Sequence, residues 1–511
     1  MLTSSVVTPQ ESVSRLAPEL PEFTRWPAAA VRGAWGLIAL GIVLRVPLYL
    51  ANRSLWNDEA SLAANLVGRS FIQLCKPLSY AQGAPMGFLF LQRAFVLTLG
   101  DSEFALRLVP LLASIALLLL CHRIARLCFD PVTGLTALAM MAMSKSLIFY
   151  SVELKQYSSD AAVSLLIAWL GMRTRNGSPA RAVVAFGIVG IIAAWFSHPA
   201  VFVLAGVGGA LVIERALAGQ FHRALQIALA AAMGGMSALC HYFFFAGSLT
   251  QDPYLMRWWK KGMMPLRPPA ATVNWLKEML PQGFDGAFGT TGKWTLIALF
   301  LCGIVTLLRQ RRAGLLAMWI APALVTLMAS GLHKYPFSDR LILFLLPLML
   351  LVAAAGAGGL WNGPPRWFKW LAPILLVALL GEPAISDVKT IFRRPLKEEM
   401  RPAIAYLKIH RQPGDRIFVY CLGHPGFDYY ARRVGIDASQ ATYCMRGDGK
   451  AFLRGQLAPV IGVSRVWVVR TTTDQLSEND LLAVLESEGK PLGDRFAARN
   501  VRVDLYDLGT R

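Results

Sequence analysis

The stretch AWGLIALGIVLRVPLYLANRSLWNDEA, residues 34–60, decides the fold. Residues 34–50 are apolar apart from Arg45, close to the roughly 20 residues that carry a helix across the hydrocarbon of a bilayer. The text then turns polar, and Trp56-Asn57-Asp58-Glu59 sets two acids just beyond the end of this first span. Arg45 lies five residues before Leu50. At that depth an arginine is costly unless it faces a polar cavity or a phosphate, which makes it a candidate substrate-binding residue.

Apolar stretches of the same kind recur to about Leu380 and not after it. The 511 residues are 55% hydrophobic and 16% charged, too apolar for an ordinary soluble enzyme. The net charge of +20 does not point to nucleic acid, because most Lys and Arg sit in short connections between apolar runs. That is the positive-inside pattern of a membrane protein in contact with lipid. The opening residues show no compact apolar core followed by a small-residue cleavage site, so the first span is expected to stay as an anchor.

Placing the basic connections on one side threads the chain. Arg15, Arg25 and Arg32 precede the first span, so residues 1–33 are expected to be a cytoplasmic tail. The spans then follow at 34–50, 104–120, 132–150, 161–172, 183–196, 201–213, 225–245, 294–308, 315–330, from 341 to about 355, and a last one ending near 385. Arg123, Arg126, Arg173, Arg175, Arg181, Arg215, Arg223, Arg309, Arg311, Arg312, Arg366 and Lys369 fall on the inner side. Residues 86–99 are short for a span and contain Gln92 and Arg93, which predicts an amphipathic helix on the outer surface. Two long outer loops result, 51–103 and 246–293, within a membrane module 34–385. The fold class is therefore an α-helical polytopic membrane protein of about eleven spans with an extracytoplasmic C-terminus.

Residues 386–511 read as a small α/β domain. Helices are expected at 398–410 and 478–488, and strands at 416–421, 466–471 and 501–508. Cys421 and Cys444 lie in this tail, where an oxidising compartment would allow a disulfide between them. The seven cysteines are too dispersed for a zinc pattern.

The chemistry sits in the outer turns. A carboxylate at the membrane surface can act as a general base, the functional reading of Asp58, whereas a helix N-cap is the structural one. Glu153-Leu154-Lys155-Gln156-Tyr157-Ser158-Ser159-Asp160 puts a second set of acids on the same face. The turn from His333 to Arg340 places Lys334 and Arg340 at a span boundary, where cations either clamp a phosphate or snorkel to headgroups. His198 reads as structural, and the aromatic and basic run 254–261 as an interfacial anchor.

These residues resemble the bacterial GT-C glycosyltransferases of the protein O-mannosyltransferase and lipid A aminoarabinose transferase type. The resemblance is carried by Trp56-Asn57-Asp58-Glu59-Ala60, Gly83-Ala84-Pro85-Met86-Gly87-Phe88, and Gly100-Asp101-Ser102-Glu103-Phe104-Ala105-Leu106-Arg107-Leu108. The turns 153–160 and 334–340 add to it, over a range of about 45–347. It implies a GT-C fold and transfer of a sugar from a polyprenyl-phosphate donor to a glycan, lipid or protein acceptor, with inversion, at the outer face of a bacterial inner membrane. It implies Asp58, with Glu59 beside it, as the catalytic acid of the first loop, and Asp160 as the acid of the second. Lys334 and Arg340 become donor-phosphate contacts, with Arg45, Glu153, Lys155, Tyr157 and Tyr335 completing the candidate substrate-binding set. No cofactor is expected, and nothing resembles a dedicated cage for a divalent metal ion. The chain departs from the aminoarabinose enzymes in having Ala84, where they have Lys, before Pro85. A transporter or flippase, or a non-catalytic envelope-assembly subunit, remains the alternative reading of the same residues.

Overall fold

Ten of the eleven apolar stretches lie within continuous helical structure, and 132–150 is broken at Ser144. In chain order the helices that organise the molecule are α1 (Ala28–Leu50), α2 (Asn57–Gly68), α3 (Met86–Leu99), α4 (Glu103–Cys128), α5 (Pro131–Met143), α6 (Lys145–Tyr150) and α7 (Tyr157–Arg175). They are followed by α8 (Ala180–Phe196), α9 (Ala200–Leu217), α10 (Phe221–His241), α11 (Pro269–Gln282), α12 (Gly289–Arg309), α13 (Ala313–Gly331), α14 (Leu346–Asn362) and α15 (Leu371–Arg393). This computed structural model describes residues 26–509 apart from 176–179, 285, 364–368, 394–396, 446, 448 and 472–474. Arg15, Arg25 and Arg366 therefore lie outside the described residues. By length and composition, seven helices among the described residues are apolar enough to cross a membrane.

Local chemistry sets the helix ends. The Ser102 hydroxyl accepts from Ala105 N to start α4, and Asp130 accepts from Val132 N and Thr133 N at the start of α5, with Pro131 in the first turn. The expected single span 132–150 is two helices. Ser144 leaves the helical region, and Lys145 N donates to Ala287 O at 2.8 Å, outside any helical ladder. The expected surface helix 86–99 forms as α3. It packs Phe88 and Leu89 inward, and Gln92 donates to Leu106 O of α4 at 3.1 Å.

The centre of the bundle is α14, almost entirely buried, against α12 and α5. Small residues permit this closeness. A Cβ added at Gly356 would lie 2.0 Å from Leu299 O, and one at Gly303 would lie 1.9 Å from Val352 O. Polar side chains collect at the two ends of the bundle. At one end Arg175 grips Glu214 at 2.7 Å and Arg312 donates to Cys128 O at 2.7 Å. The loops bearing Asp58, Glu153 and Arg340 gather at the other end, together with the C-terminal domain.

That domain holds α16 (Met400–His410), α17 (His424–Arg433), α18 (Lys450–Leu457) and α19 (Gln475–Glu488). Its five-stranded sheet contains β1 (Arg416–Val419), β2 (Ala441–Tyr443), β3 (Val466–Thr471), β4 (Lys490–Ala498) and β5 (Val501–Asp507) in the order β2-β1-β3-β5-β4. β1 is parallel to β2 and β3, while β5 runs antiparallel to β3 and β4. The strands not expected from the sequence, β2 and β4, are the two edges, where apolar alternation is weakest. The domain is sealed onto the long connection 51–103. Leu55, Leu62, Leu66, Phe88 and Leu89 share one apolar cluster with Met400, Ile404, Tyr430 and Trp467.

Candidate active site

Three separate connecting segments meet at one carboxylate. Asp58, in the first turn of α2, lies 2.9 Å from Lys155 Nζ through Oδ1 and 3.2 Å from Arg340 Nη1 through Oδ2. Its side chain is 17% exposed, so the two cations act in a setting of reduced dielectric. Burial alone would raise the Asp58 carboxyl; the Lys155 ammonium and the Arg340 guanidinium outweigh it and hold the group below the usual carboxylate range. Lys155 Nζ also donates to Gln82 Oε1 at 2.5 Å, and Gln156 Nε2 donates to Gly83 O at 3.2 Å.

Arg340 stands over two aromatic faces, Tyr157 at 5.9 Å and Trp259 at 5.6 Å from guanidinium to ring centroid. Two of the central polar atoms, Asp58 Oδ2 and Arg340 Nε, are buried and make no hydrogen bond among the described residues. Beside Arg340 opens a cavity of about 520 Å³, lined by Lys145, Phe149, Tyr150, Asp339, Ile342 and Leu346 among others. Such a volume suits a small-molecule headgroup.

Asp160 lies one turn further along α7, buried beside Ser197, with Oδ1 making no hydrogen bond among the described residues. Tyr335 packs edge-on against Phe202 and donates to Leu341 O at 2.8 Å. Lys334 is exposed, and no described side chain pairs with it, so the structure does not bring it to Asp58 with Arg340.

Three candidates have structural duties instead. Glu59 points away from Asp58 and is fully buried in a bidentate pair, Arg107 Nε at 2.8 Å and Nη2 at 2.6 Å, while Leu154 N donates to it at 2.8 Å. Burial would raise its carboxyl, but Arg107 holds it low. Glu153 is likewise enclosed by Arg53, by Trp56 Nε1 at 2.5 Å and by Lys397 Nζ at 3.8 Å. Arg45 is fully buried, with its guanidinium spent on protein acceptors. It donates to Ser114 Oγ at 2.7 Å, Gly41 O at 2.8 Å, Ala142 O at 3.0 Å and Met141 O at 3.2 Å. The last two carbonyls are freed where α5 breaks at Ser144, which accounts for an arginine at this depth.

Several neighbours escaped sequence reasoning. Gln82 has no motif, and Trp259 belongs to the run read as an interfacial anchor. Lys397 and Glu398 come from the start of the C-terminal domain: the Lys397 ammonium lies 3.6 Å from the Trp56 ring centroid, and Glu398 Oε2 accepts from Asn57 N at 2.7 Å. Burial pushes the Glu398 carboxyl up to about 7. No group of three or more His, Cys, Asp or Glu suited to hold a metal ion occurs among the described residues.

No protein-family model matches this sequence, and no curated protein matches it. Solved structures do resemble it. The apo structure of ArnT from Cupriavidus metallidurans superposes with a TM-score of 0.59 at 11% identity, covering 93% of this chain and 98% of that one. The same protein bound to undecaprenyl phosphate gives 0.55 at 10% identity, covering 92% and 97%. The archaeal oligosaccharyltransferase AglB from Archaeoglobus fulgidus, in complex with an inhibitory peptide and a dolichol-phosphate, gives 0.51 at 11% identity, covering 92% of this chain and 74% of that one. At these identities the likeness establishes architecture: the chain has the GT-C fold.

Proposed function

We propose that the chain is a membrane glycosyltransferase that moves a sugar from a polyprenyl-phosphate carrier to an acceptor hydroxyl, with inversion, at the outer face of the membrane. The observation that carries this reading is Asp58 held between Lys155 and Arg340, the second of which also lines the cavity. A carboxylate that can take a proton and two cations that can take a phosphate are the parts such a displacement requires. The polyprenyl phosphates bound by the two structural neighbours support the donor class.

In the reaction the acceptor oxygen forms its bond to the anomeric carbon as the bond from that carbon to the phosphate oxygen breaks. The acceptor proton passes to Asp58, and the electron pair leaves with the phosphate, whose growing charge is met by Arg340 and Lys155. Arg340 Nε, without a hydrogen bond among the described residues, is a donor that such an anion satisfies. Binding also prepares the base. A phosphate competing for the two cations relieves Asp58 of counter-charge and raises its proton affinity. These side chains supply the positive charge that a metal ion would otherwise bring. Asp160, with Ser197 beside it, forms a polar wall for sugar or acceptor hydroxyls. The site's charges lie at helix ends, which suits surface chemistry better than the mid-bilayer site of a transporter.

The test is transfer from a synthetic polyprenyl-phosphate sugar in nanodiscs, beside a donor-binding measurement. Asp58→Asn should slow transfer by at least about 100-fold while donor binding survives. Arg340→Ala removes a charge-assisted contact of about 1.5–3 kcal/mol and should weaken both binding and turnover. Wild-type turnover in Asp58→Asn would eliminate the base assignment.

A further inference from the structure

We propose that the C-terminal domain is the clamp that aims Asp58, and that Glu398 is its positioning residue. The inference rests on the transferase reading only for its kinetic readout. Helix α2, which presents Asp58, has no cap of its own: its N-cap residue is Trp56, which makes no side-chain capping bond. A helix start normally takes a Ser, Thr, Asp or Asn at that point. Here the cap arrives from 341 residues away, as Glu398 Oε2 accepts from Asn57 N at 2.7 Å. Because Asn57 directly precedes Asp58, this bond fixes the backbone from which the catalytic carboxylate projects.

The domain holds the rest of the approach in the same way. Arg401 Nη2 donates to Asn52 O at 2.8 Å, and Leu55 N donates to the Tyr430 hydroxyl at 2.7 Å. Both Arg401 and Tyr430 also engage Glu103 at the start of α4. Glu398 is fixed in turn, since Lys397 O accepts from Asn500 Nδ2 at 2.8 Å and Glu399 N donates to Arg499 O at 3.1 Å. The connection from α1 to α2 is thus a strap whose main-chain atoms at Asn52, Leu55 and Asn57 are gripped by side chains of the domain.

Glu398 is 4% exposed. Burial, the Asp58 and Glu59 charges of α2 and the opposing pulls of Asn57 N and Lys397 leave it titrating at about 7. Its ionisation strengthens the cap and places a negative charge beside Asp58, which raises the proton affinity of the base. Turnover therefore rises as pH passes through about 7.

The experiment uses full-length protein in nanodiscs, as wild type, Glu398→Gln and Glu398→Ala. Hydrogen exchange of the 52–60 peptide should quicken by about tenfold or more in Glu398→Ala and stay near wild type in Glu398→Gln, which keeps an acceptor for Asn57 N. With a synthetic polyprenyl-phosphate sugar, kcat should fall about 10- to 100-fold in Glu398→Ala while donor KM stays within about twofold. Glu398→Gln should lose the inflection near pH 7. Unchanged exchange in Glu398→Ala, or an inflection retained by the folded Glu398→Gln variant, would overturn the inference. If wild type transfers no sugar while exchange behaves as expected, the clamp stands and the transferase reading falls.

Discussion

Asp58 and Glu59 are adjacent, both acidic and both largely buried, yet the fold gives them opposite duties. Successive side chains on a helix point about 100° apart. One turns to Lys155 and Arg340, the other into the bidentate grip of Arg107. Breaking a buried pair by neutralising one member costs about 3–5 kcal/mol, because the other charge is left uncompensated. Glu59→Gln should therefore lower the thermal midpoint in detergent markedly, and adding Arg107→Met should recover much of the loss. A Glu59→Gln protein that melts like wild type but transfers about 100-fold more slowly would return Glu59 to the chemistry. Both carboxyls are held below their ordinary range. Their contribution to stability is complete above the unfolded carboxylate values near 4 and is lost as pH falls through the lower folded values. The sequence shows two acids after a span, which makes candidates of both. What separates them is Arg107, 48 residues further on, and no local spacing announces that partner. Arg45 misled for the same reason: its cost is met by carbonyls of a break at Ser144 that apolarity does not reveal.

At the scale of elements, hydrophobic runs and basic connections locate the helices, since both follow directly from burial in lipid and from charge placement. Breaks and edges are harder to see. The α5–α6 interruption depends on a carbonyl from residue 287, and the edge strands β2 and β4 lack a buried face on both sides. Packing is legible only as a stripe of small residues in α14, whose purpose is clear once Gly356 is found against Leu299 O and Gly303 against Val352 O. Gly356→Val forces those backbones apart and should cost about 1–3 kcal/mol, read as a lower midpoint in thermal melts. An unchanged midpoint would mean that α12 and α14 do not meet there. The tail offers a second check. β1 and β2 run parallel with Val419 opposite Tyr443, and Cys444 N donates to Val419 O at 3.0 Å. This brings the backbone of Cys444 alongside the end of β1, two residues before Cys421, whose side chain lies outside the described residues. Non-reducing peptide mapping of protein purified without reductant should find Cys421 bonded to Cys444, and two alkylatable thiols would refute the pairing.

At the scale of the whole molecule, the bundle separates its charges into two groups at opposite ends. One end carries Arg175, Glu214 and Arg312, joined to one another or to backbone carbonyls. The other carries the carboxylates and cations around Asp58, covered by the C-terminal domain. The lipid bilayer fixes which end is which. Basic connections are retained in the cytoplasm during insertion, so the Arg175 end should be inside and the Asp58 end outside. The reaction proposed here demands the same orientation, because a lipid-linked donor presented outside requires no nucleotide sugar there. Single cysteines in a cysteine-free background decide the matter at four exposed positions: Lys334→Cys and Lys408→Cys on the domain side, Arg173→Cys and Arg311→Cys on the other. An impermeant thiol reagent added to intact spheroplasts should label the first pair, and the second pair only after the membrane is opened. Labelling of both pairs from outside would break the threading of the chain. Labelling of the second pair alone would invert it, placing the site in the cytoplasm, where Asp58 would face a different pool of donors and acceptors.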